Sequence, residues 1–368
     1  MRIGIDAHVL GKNKGGVERY LANLLERLPG VAPDLEFLVF VRGGYRPTAP
    51  VPSNMTFVDL PTANPLLERS LVLPFLARRH ALDVLHVQRV APPFPGCQVV
   101  VSIHDLLPLT NPSEHRGLNS TLVRLLTPGS VRRARRILTV SNVVRNEIVG
   151  RFDVPAEKVV AIHNGVDMGM FHLTENDPGW AERKTLLFVG ALEPRKNVET
   201  LLRSFAAFRF VIAEGKLRIV GGERALGYLQ SLKNLTVDLG IVDHVEFLGY
   251  VADGEYRYLL NETRILVAPS TGEGFNIPPL EAMACGVPVV CSDIAVHREL
   301  FAQSAILFNA TSSDALAQVL VDTWGDETEW NRLRQRGLEQ APCFTWERTA
   351  ELTARVYREL GDGANDRS

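Results

Sequence analysis

The chain has 368 residues, 46% of them hydrophobic and 22% charged, and a formal net charge of −2. At about 150 residues per domain this length points to two domains, and the composition excludes a disordered, collagen-like or low-complexity chain. No apolar run approaches the roughly 18 residues of a membrane-spanning helix, and four scattered cysteines (Cys97, Cys285, Cys291, Cys343) without a C-x-x-C pair argue against a disulfide framework or a structural zinc site. In chain order, Met-Arg-Ile-Gly-Ile-Asp leads straight into a strand at 2–6 with no signal-peptide core, so a cytoplasmic setting is expected. A helical period fills 17–28. Val/Ile/Leu-rich runs follow at 36–41, 83–87, 98–103, 136–140 and 158–162, without the polar alternation of a half-solvated sheet. Residues 164–183, rich in Asn, Gly, Asp and Glu, read as a linker. The strand pattern then restarts at 185–190, 216–220, 244–248, 264–268 and 287–291, and 346–360 reads as an amphipathic helix. Strands alternating with helices predict an α/β chain of two Rossmann-like domains, 1–167 with 346–360 and 168–345.

The charge is unevenly spread. Residues 1–167 carry 20 basic and 14 acidic side chains, a balance of +6, and residues 168–368 carry 20 and 28, a balance of −8. The first part is therefore expected to meet something anionic, such as phosphate or a membrane surface. Nucleic acid is not expected, because no basic run is interleaved with stacking aromatics.

Ligands of open α/β sheets bind beyond the carboxyl ends of the strands, so the loops after strands carry the candidates. The richest is S-T-G-E-G-F-N-I-P-P-L-E-A-M-A-C-G-V-P-V-V-C at 270–291. A glycine-bounded loop runs into a helix near Pro278, and its unpaired amides suit a diphosphate. Glu273 and Glu281, eight positions apart, could accept from sugar or ribose hydroxyls. Each alone also fits a solvated or helix-dipole glutamate. Arg195 and Lys196 in E-P-R-K-N could neutralise a leaving diphosphate, or stand as a solvated charge pair. Gly15 and Gly16 lack dinucleotide-fingerprint spacing and allow close backbone approach to a phosphate or sugar. His104, after the strand 98–103, could bond a sugar hydroxyl, and Asp105 could cap the next turn. His86 is taken as structural. Ser141 is expected to cap the helix from 142, and Asn164, Gly165 and Asp167 to form an interdomain hinge with positive φ. Residues 118–136, with Arg124, Arg132, Arg133, Arg135 and Arg136, read either as a membrane-surface contact or as a solvated helix face broken at Pro128-Gly129.

These strings together resemble a known family. G-E-G-F-N-I-P-P-L-E-A-M-A-C-G-V-P-V-V is similar to the E-x7-E signature of the family-four retaining glycosyltransferases. Gly15-Gly16, I-H-D (103–105), T-V-S-N (139–142), H-N-G-V-D (163–167), V-G-A-L-E-P-R-K-N (189–197) and F-L-G-Y-V (247–251) occur in that family's order. The resemblance spans nearly the whole chain. It implies the GT-B fold, with the two domains facing a central cleft and the last helix crossing back to the first domain.

The resemblance also implies transfer of a hexose from a nucleotide-diphosphate sugar to a hydroxyl of a saccharide or lipid-linked acceptor, with retention and without a metal or other cofactor. It gives Glu273 and His104 to the sugar, and Arg195, Lys196, Gly15, Gly16 and the amides at Phe275 and Asn276 to the diphosphate. Glu281 falls to the ribose, and Gly249, Tyr250 and Val251 to the base. Asn276 stands where the family usually has Gly; an Asn can cap the helix and tolerate unusual φ, but its side chain is expected to crowd the sugar–phosphate space. Ala191 stands where many members have Arg, and the E-P-R-K-N form resembles a subset of bacterial mannosyltransferases of polysaccharide assembly. That makes GDP-mannose the expected donor, while the basic first half points to an anionic or lipid-linked saccharide and a peripheral contact at the inner face of the cell membrane. The rival readings are a UDP-sugar transferase of the same family, a nucleotide-sugar epimerase, and a non-catalytic nucleotide-sugar-binding partner.

Overall fold

The computed structural model describes residues 1–12, 15–61, 64–110, 118–175 and 177–365. The chain divides into two compact units, Met1–Asn164 with Trp346–Ser368, and Gly165–Thr345. Both units are α/β, and both sheets are parallel throughout.

The first unit holds β1 (Arg2–Asp6), β2 (Glu36–Val41), β3 (Met55–Asp59), β4 (Val84–Gln88), β5 (Gln98–Ile103), β6 (Arg136–Thr139) and β7 (Val159–Ala161) in the order β3-β2-β1-β4-β5-β6-β7. Strand side chains such as Phe40, Leu85, Val87, Val101 and Ile137 pack with Leu73, Leu76, Val144 and Ile148 from the covering helices. Each such side chain contributes about 1.5–3 kcal/mol relative to exposure, which offsets ordering entropy. The last helix, Trp346–Asn365, buries Trp346, Ala350, Thr353, Ala354, Tyr357 and Leu360 along one stripe. It lies against the helix Gly16–Val31 and is clamped by ion pairs Arg27–Glu347 (2.7 Å) and Arg358–Asp34 (2.6 Å).

The second unit holds β8 (Thr185–Val189), β9 (Lys216–Val220), β10 (Val245–Gly249), β11 (Thr263–Ala268), β12 (Val289–Ser292) and β13 (Ala305–Phe308) in the order β10-β9-β8-β11-β12-β13. Leu186, Phe188, Ile219, Ile265 and Val267 pack with Leu201, Leu202, Phe205, Phe208 and Trp324 from its helices.

Several expectations are corrected. The helix Leu118–Arg133 runs on through Pro128-Gly129. Proline omits one ladder bond, while the hydroxyls of Thr127 and Ser130 donate to the Val123 and Leu126 carbonyls on either side. Neither Asn164 nor Gly165 adopts positive φ; Asp167 instead accepts from the Gly169 and Met170 amides in a tight turn. Residues 165–183 are not a loose linker, since Phe171 and Arg183 are buried in the second unit. Ser141 caps the helix Asn142–Phe152 by accepting from Val144 N–H. The edge strands β3 and β13 lay outside the expected set.

Candidate active site

The second unit's site forms where β8 and β11 end side by side. These strands are paired in parallel, so the loops that follow them leave the sheet at the same edge. After β8, Pro194 opens a one-turn helix, Pro194–Lys196, and Asn197 closes it in the left-handed conformation (φ 56°) that Asn tolerates. The Asn197 amide donates to the carbonyls of Pro269 (3.0 Å) and Ala310 (2.9 Å), and Thr271 N–H donates to Arg195 O (2.8 Å). The two loops are thereby fixed to each other.

Three expected residues meet there. Glu273 Oε1 accepts from Lys196 Nζ (2.6 Å) and Ser270 Oγ (2.7 Å), and Oε2 accepts from Arg195 Nη1 (2.9 Å). Arg195 also reaches Gly272 O (3.1 Å) and pairs with Glu193 (2.6 Å). The Glu273 side chain is 8% exposed. Burial alone would raise its pKa, but the charges of Lys196 and Arg195 outweigh that and hold the carboxyl well below the ordinary range. It is therefore ionised throughout the neutral range, and the solvated alternatives for all three residues are corrected. Space for Lys196 comes from Gly190, where a Cβ would lie 3.3 Å from Lys196 Cε. Gly221, at φ 140°, must be Gly, because a Cβ there would lie 1.8 Å from the Gly190 carbonyl oxygen.

Asn276 departs from expectation. It sits at φ 80°, makes no side-chain cap, and turns its amide to His297 (Nδ2 to Nε2 3.0 Å). The residue takes the unusual φ an Asn tolerates, and its amide goes to His297 rather than to a cap of the helix Ile277–Ala284. Phe275 is buried with its ring edge-on to Phe344, and Glu281 is buried on the helix rather than solvated. Gly249 ends β10, and its carbonyl accepts from Gly221 N–H (2.7 Å); Tyr250 is exposed and Val251 buried.

Two family descriptions match the chain: "Glycosyltransferase Family 4" over residues 14–169 and "Glycosyl transferases group 1" over 174–340. O-antigen chain mannosyltransferase B of Escherichia coli is 30% identical over 276 residues, covering 72% of this chain and 71% of that protein. The chain belongs to glycosyltransferase family 4. O-antigen chain mannosyltransferase RfbU of Salmonella typhimurium is 33% identical over 209 residues, 57% of this chain and 56% of that protein. The sucrose-phosphate synthase of Thermosynechococcus elongatus superposes with a TM-score of 0.80 at 20% identity over 99% of this chain and 100% of that one. Anabaena HepE, solved with UDP and glucose, gives 0.76 at 18% identity over 98% and 100%. The architecture is GT-B, and the protein is a glycosyltransferase related to O-antigen mannosyltransferases.

In this glycosyltransferase the first unit presents a different chemistry. His104 follows β5; its Nε2 lies 3.0 Å from Gln88 Oε1 and its ring stands edge-on to Tyr20 at 4.8 Å. Burial, then the Arg89 charge, pushes its pKa down to about 4, so the imidazole is neutral at pH 7. Asp105 pairs with Arg89 (3.0 Å) and caps Leu107 N–H. His86 is buried in β4 between Tyr357 Oη (2.6 Å) and Ser102 Oγ (2.7 Å). Gly15 (φ 70°) and Gly16 open the helix Gly16–Val31 and are exposed, with open space where a Cβ would point.

Sequence reasoning missed four parts of these sites. Glu193 and Ser270 lie inside strings already singled out and had no role assigned. His297 carries no motif. The fourth is a buried group after β1 and β2: His8 Nδ1 bonds Asp6 (2.7 Å), and Glu68 accepts from Arg42 Nε (2.6 Å), with Glu68 Oε1 3.9 Å from His8. The potential ligand atoms of Asp6, His8 and Glu68 lie within 4.8 Å of one another. Arg42, together with the Arg69 charge acting on Asp6, already supplies positive charge there.

Proposed function

We propose that this glycosyltransferase moves mannose from GDP-mannose to a hydroxyl of a saccharide or lipid-linked acceptor, with retention and without a metal ion. The observation that carries the reading is the buried cluster of Arg195, Lys196 and Glu273 at the ends of β8 and β11. As the bond from the anomeric carbon to the diphosphate breaks, negative charge grows on the leaving oxygens. Fixed guanidinium and ammonium groups favour that charge more than the ground state and so lower the barrier. They also provide the positive charge that a divalent ion gives elsewhere. The amides at Phe275 and Asn276 add to the diphosphate's surroundings. Glu281 accepts from the ribose, Gly249 to Val251 lie by the base, and Glu273 orients the sugar. The acceptor oxygen bonds to the anomeric carbon, and its proton passes to the leaving phosphate oxygen. Mannose as the sugar rests on the O-antigen mannosyltransferase relatives.

Incubation of purified protein with GDP-mannose, UDP-glucose, UDP-N-acetylglucosamine and ADP-glucose, with and without EDTA, tests this. GDP-mannose should raise the melting temperature and be consumed equally well in EDTA, with an α-linked product by NMR. Consumption of a UDP-sugar alone would overturn the donor, and an inverted product the stereochemistry.

For peripheral membrane contact we favour a helical stretch other than 118–136. No described helix is long and apolar enough to cross a membrane. In Leu118–Arg133, Thr127 and Ser130 are buried while Leu125 is exposed, so the described side chains do not turn an apolar stripe to solvent. By contrast Leu67, Leu71 (64% exposed) and Phe75 (58% exposed) repeat every fourth residue ahead of exposed Arg78 and Arg79. Such a face suits an anionic bilayer surface. Wild type should co-sediment with phosphatidylglycerol vesicles and L71E/F75E should not; equal sedimentation would remove the assignment.

A further inference from the structure

Asn276 holds a positive φ that costs an ordinary side chain about 1 kcal/mol or more and a glycine almost nothing. Its side-chain amide reaches His297, fully buried on the short helix Ala295–Phe301. His297 Nδ1 lies 2.9 Å from the Ser292 carbonyl oxygen, which can only accept, so Nδ1 carries the proton. Nε2 then presents its lone pair and accepts from the Asn276 amide at 3.0 Å. Ser292 Oγ donates to the Ser270 carbonyl, and Ser270 Oγ donates to Glu273 Oε1. Burial pushes the His297 pKa down, which keeps the accepting form. One buried hydrogen-bonded chain therefore runs from Asn276 through His297, Ser292 and Ser270 to Glu273, and it grips the loop on both sides of Glu273.

We propose that His297 is a positioning residue for the donor loop: with Ser292 it fixes both ends of 270–276, and with them Glu273 and the amides at Phe275 and Asn276. Asn276 and His297 act as a pair in which the imidazole takes over the job that glycine's conformational freedom would do. The proposal rests on the donor-site reading of Glu273.

Hydrogen exchange across 269–284 and steady-state kinetics of H297L, N276G and N276G/H297L test it. In H297L the amide of Asn276 is stranded at a strained position. Exchange at 270–277 should accelerate about tenfold and kcat fall by about as much, with donor KM changing less than threefold. Adding N276G to H297L should restore at least half of the lost kcat, because glycine holds φ 80° unaided. A buried histidine that served only overall stability would give equal losses across the second unit and no rescue, which would overturn the pairing. Unchanged exchange at 270–277 in H297L would overturn the positioning role. If H297L fails to fold, S292A reads the same chain, with faster exchange expected at 270–273 and unchanged exchange contradicting it. Exchange needs no donor, so a wild type inert toward every nucleotide sugar would refute the donor-site reading while leaving this result decisive.

Discussion

Each unit places buried acids and bases beyond the carboxyl ends of its strands, but the two clusters are balanced differently. In the second unit Glu273 accepts from Lys196, Arg195 and Ser270 together, and both its oxygens are used. In the first unit Glu68 accepts from Arg42 through Oε2, while the buried Oε1 has no hydrogen-bond partner among the described residues. The Glu273 arrangement is redundant and holds its charges where they are; Glu68 has one hydrogen-bonded cation, Arg42, with His8 3.9 Å away as its other positive neighbour. Redundancy is what an electrostatic cradle requires, because preorganised charges avoid reorganisation when charge develops on the reacting group.

The comparison can be broken by removing one donor from each cluster. Arg42→Ala should leave Glu68 buried and uncompensated and cost about 3 kcal/mol of stability. Ser270→Ala should cost no more than about 1 kcal/mol, since Glu273 keeps its two cations. Urea denaturation of both variants checks this, and equal losses would erase the distinction. A smaller effect comes from pH. His86 and His104 have lowered pKa values, about 3 and about 4, so the stability tied to their neutral forms is present above the unfolded value near 6.5 and is lost as pH falls toward 4. His8 runs the other way, because its raised pKa gives stability that fades as pH rises through the folded value. Glu273, held low, loses its contribution only as pH drops below the ordinary carboxylate range. His297 in the second unit is also held low by burial and loses stability in the same direction, so hydrogen exchange at pH 4.5 should show both units loosening, the first before the second because it holds two such histidines against one, and H104Q should lessen the first unit's acid sensitivity. Opening of the second unit first would contradict these assignments.

The central strands were legible because burial on both faces writes an uninterrupted apolar run such as Val99-Val100-Val101. Two of the four edge strands were not: Met55–Asp59 and Ala305–Phe308 were missed, while the edge strands Val159–Ala161 and Val245–Gly249 fell on expected runs. Arg195, Lys196 and Glu273 were each named, yet their contact spans about 77 residues and follows from the pairing of β8 with β11, which spacing does not reveal. Asp6 and Glu68 meet across 62 positions, and Glu68 opens a π-helical turn, Glu68–Val72, that no local signal marks. Asn276 was correctly seen as unusual, but its destination depended on a histidine 21 residues further on.

The central claim is that the Arg195–Lys196–Glu273 cluster handles the donor's departing diphosphate and sugar. Its most direct measurement is E273Q, which keeps the side chain's size and removes its charge, followed by single-turnover transfer and by calorimetric titration with GDP. Turnover should fall by about a hundredfold or more while the GDP dissociation constant stays within about threefold. Loss of GDP affinity with turnover preserved at saturating donor would contradict it.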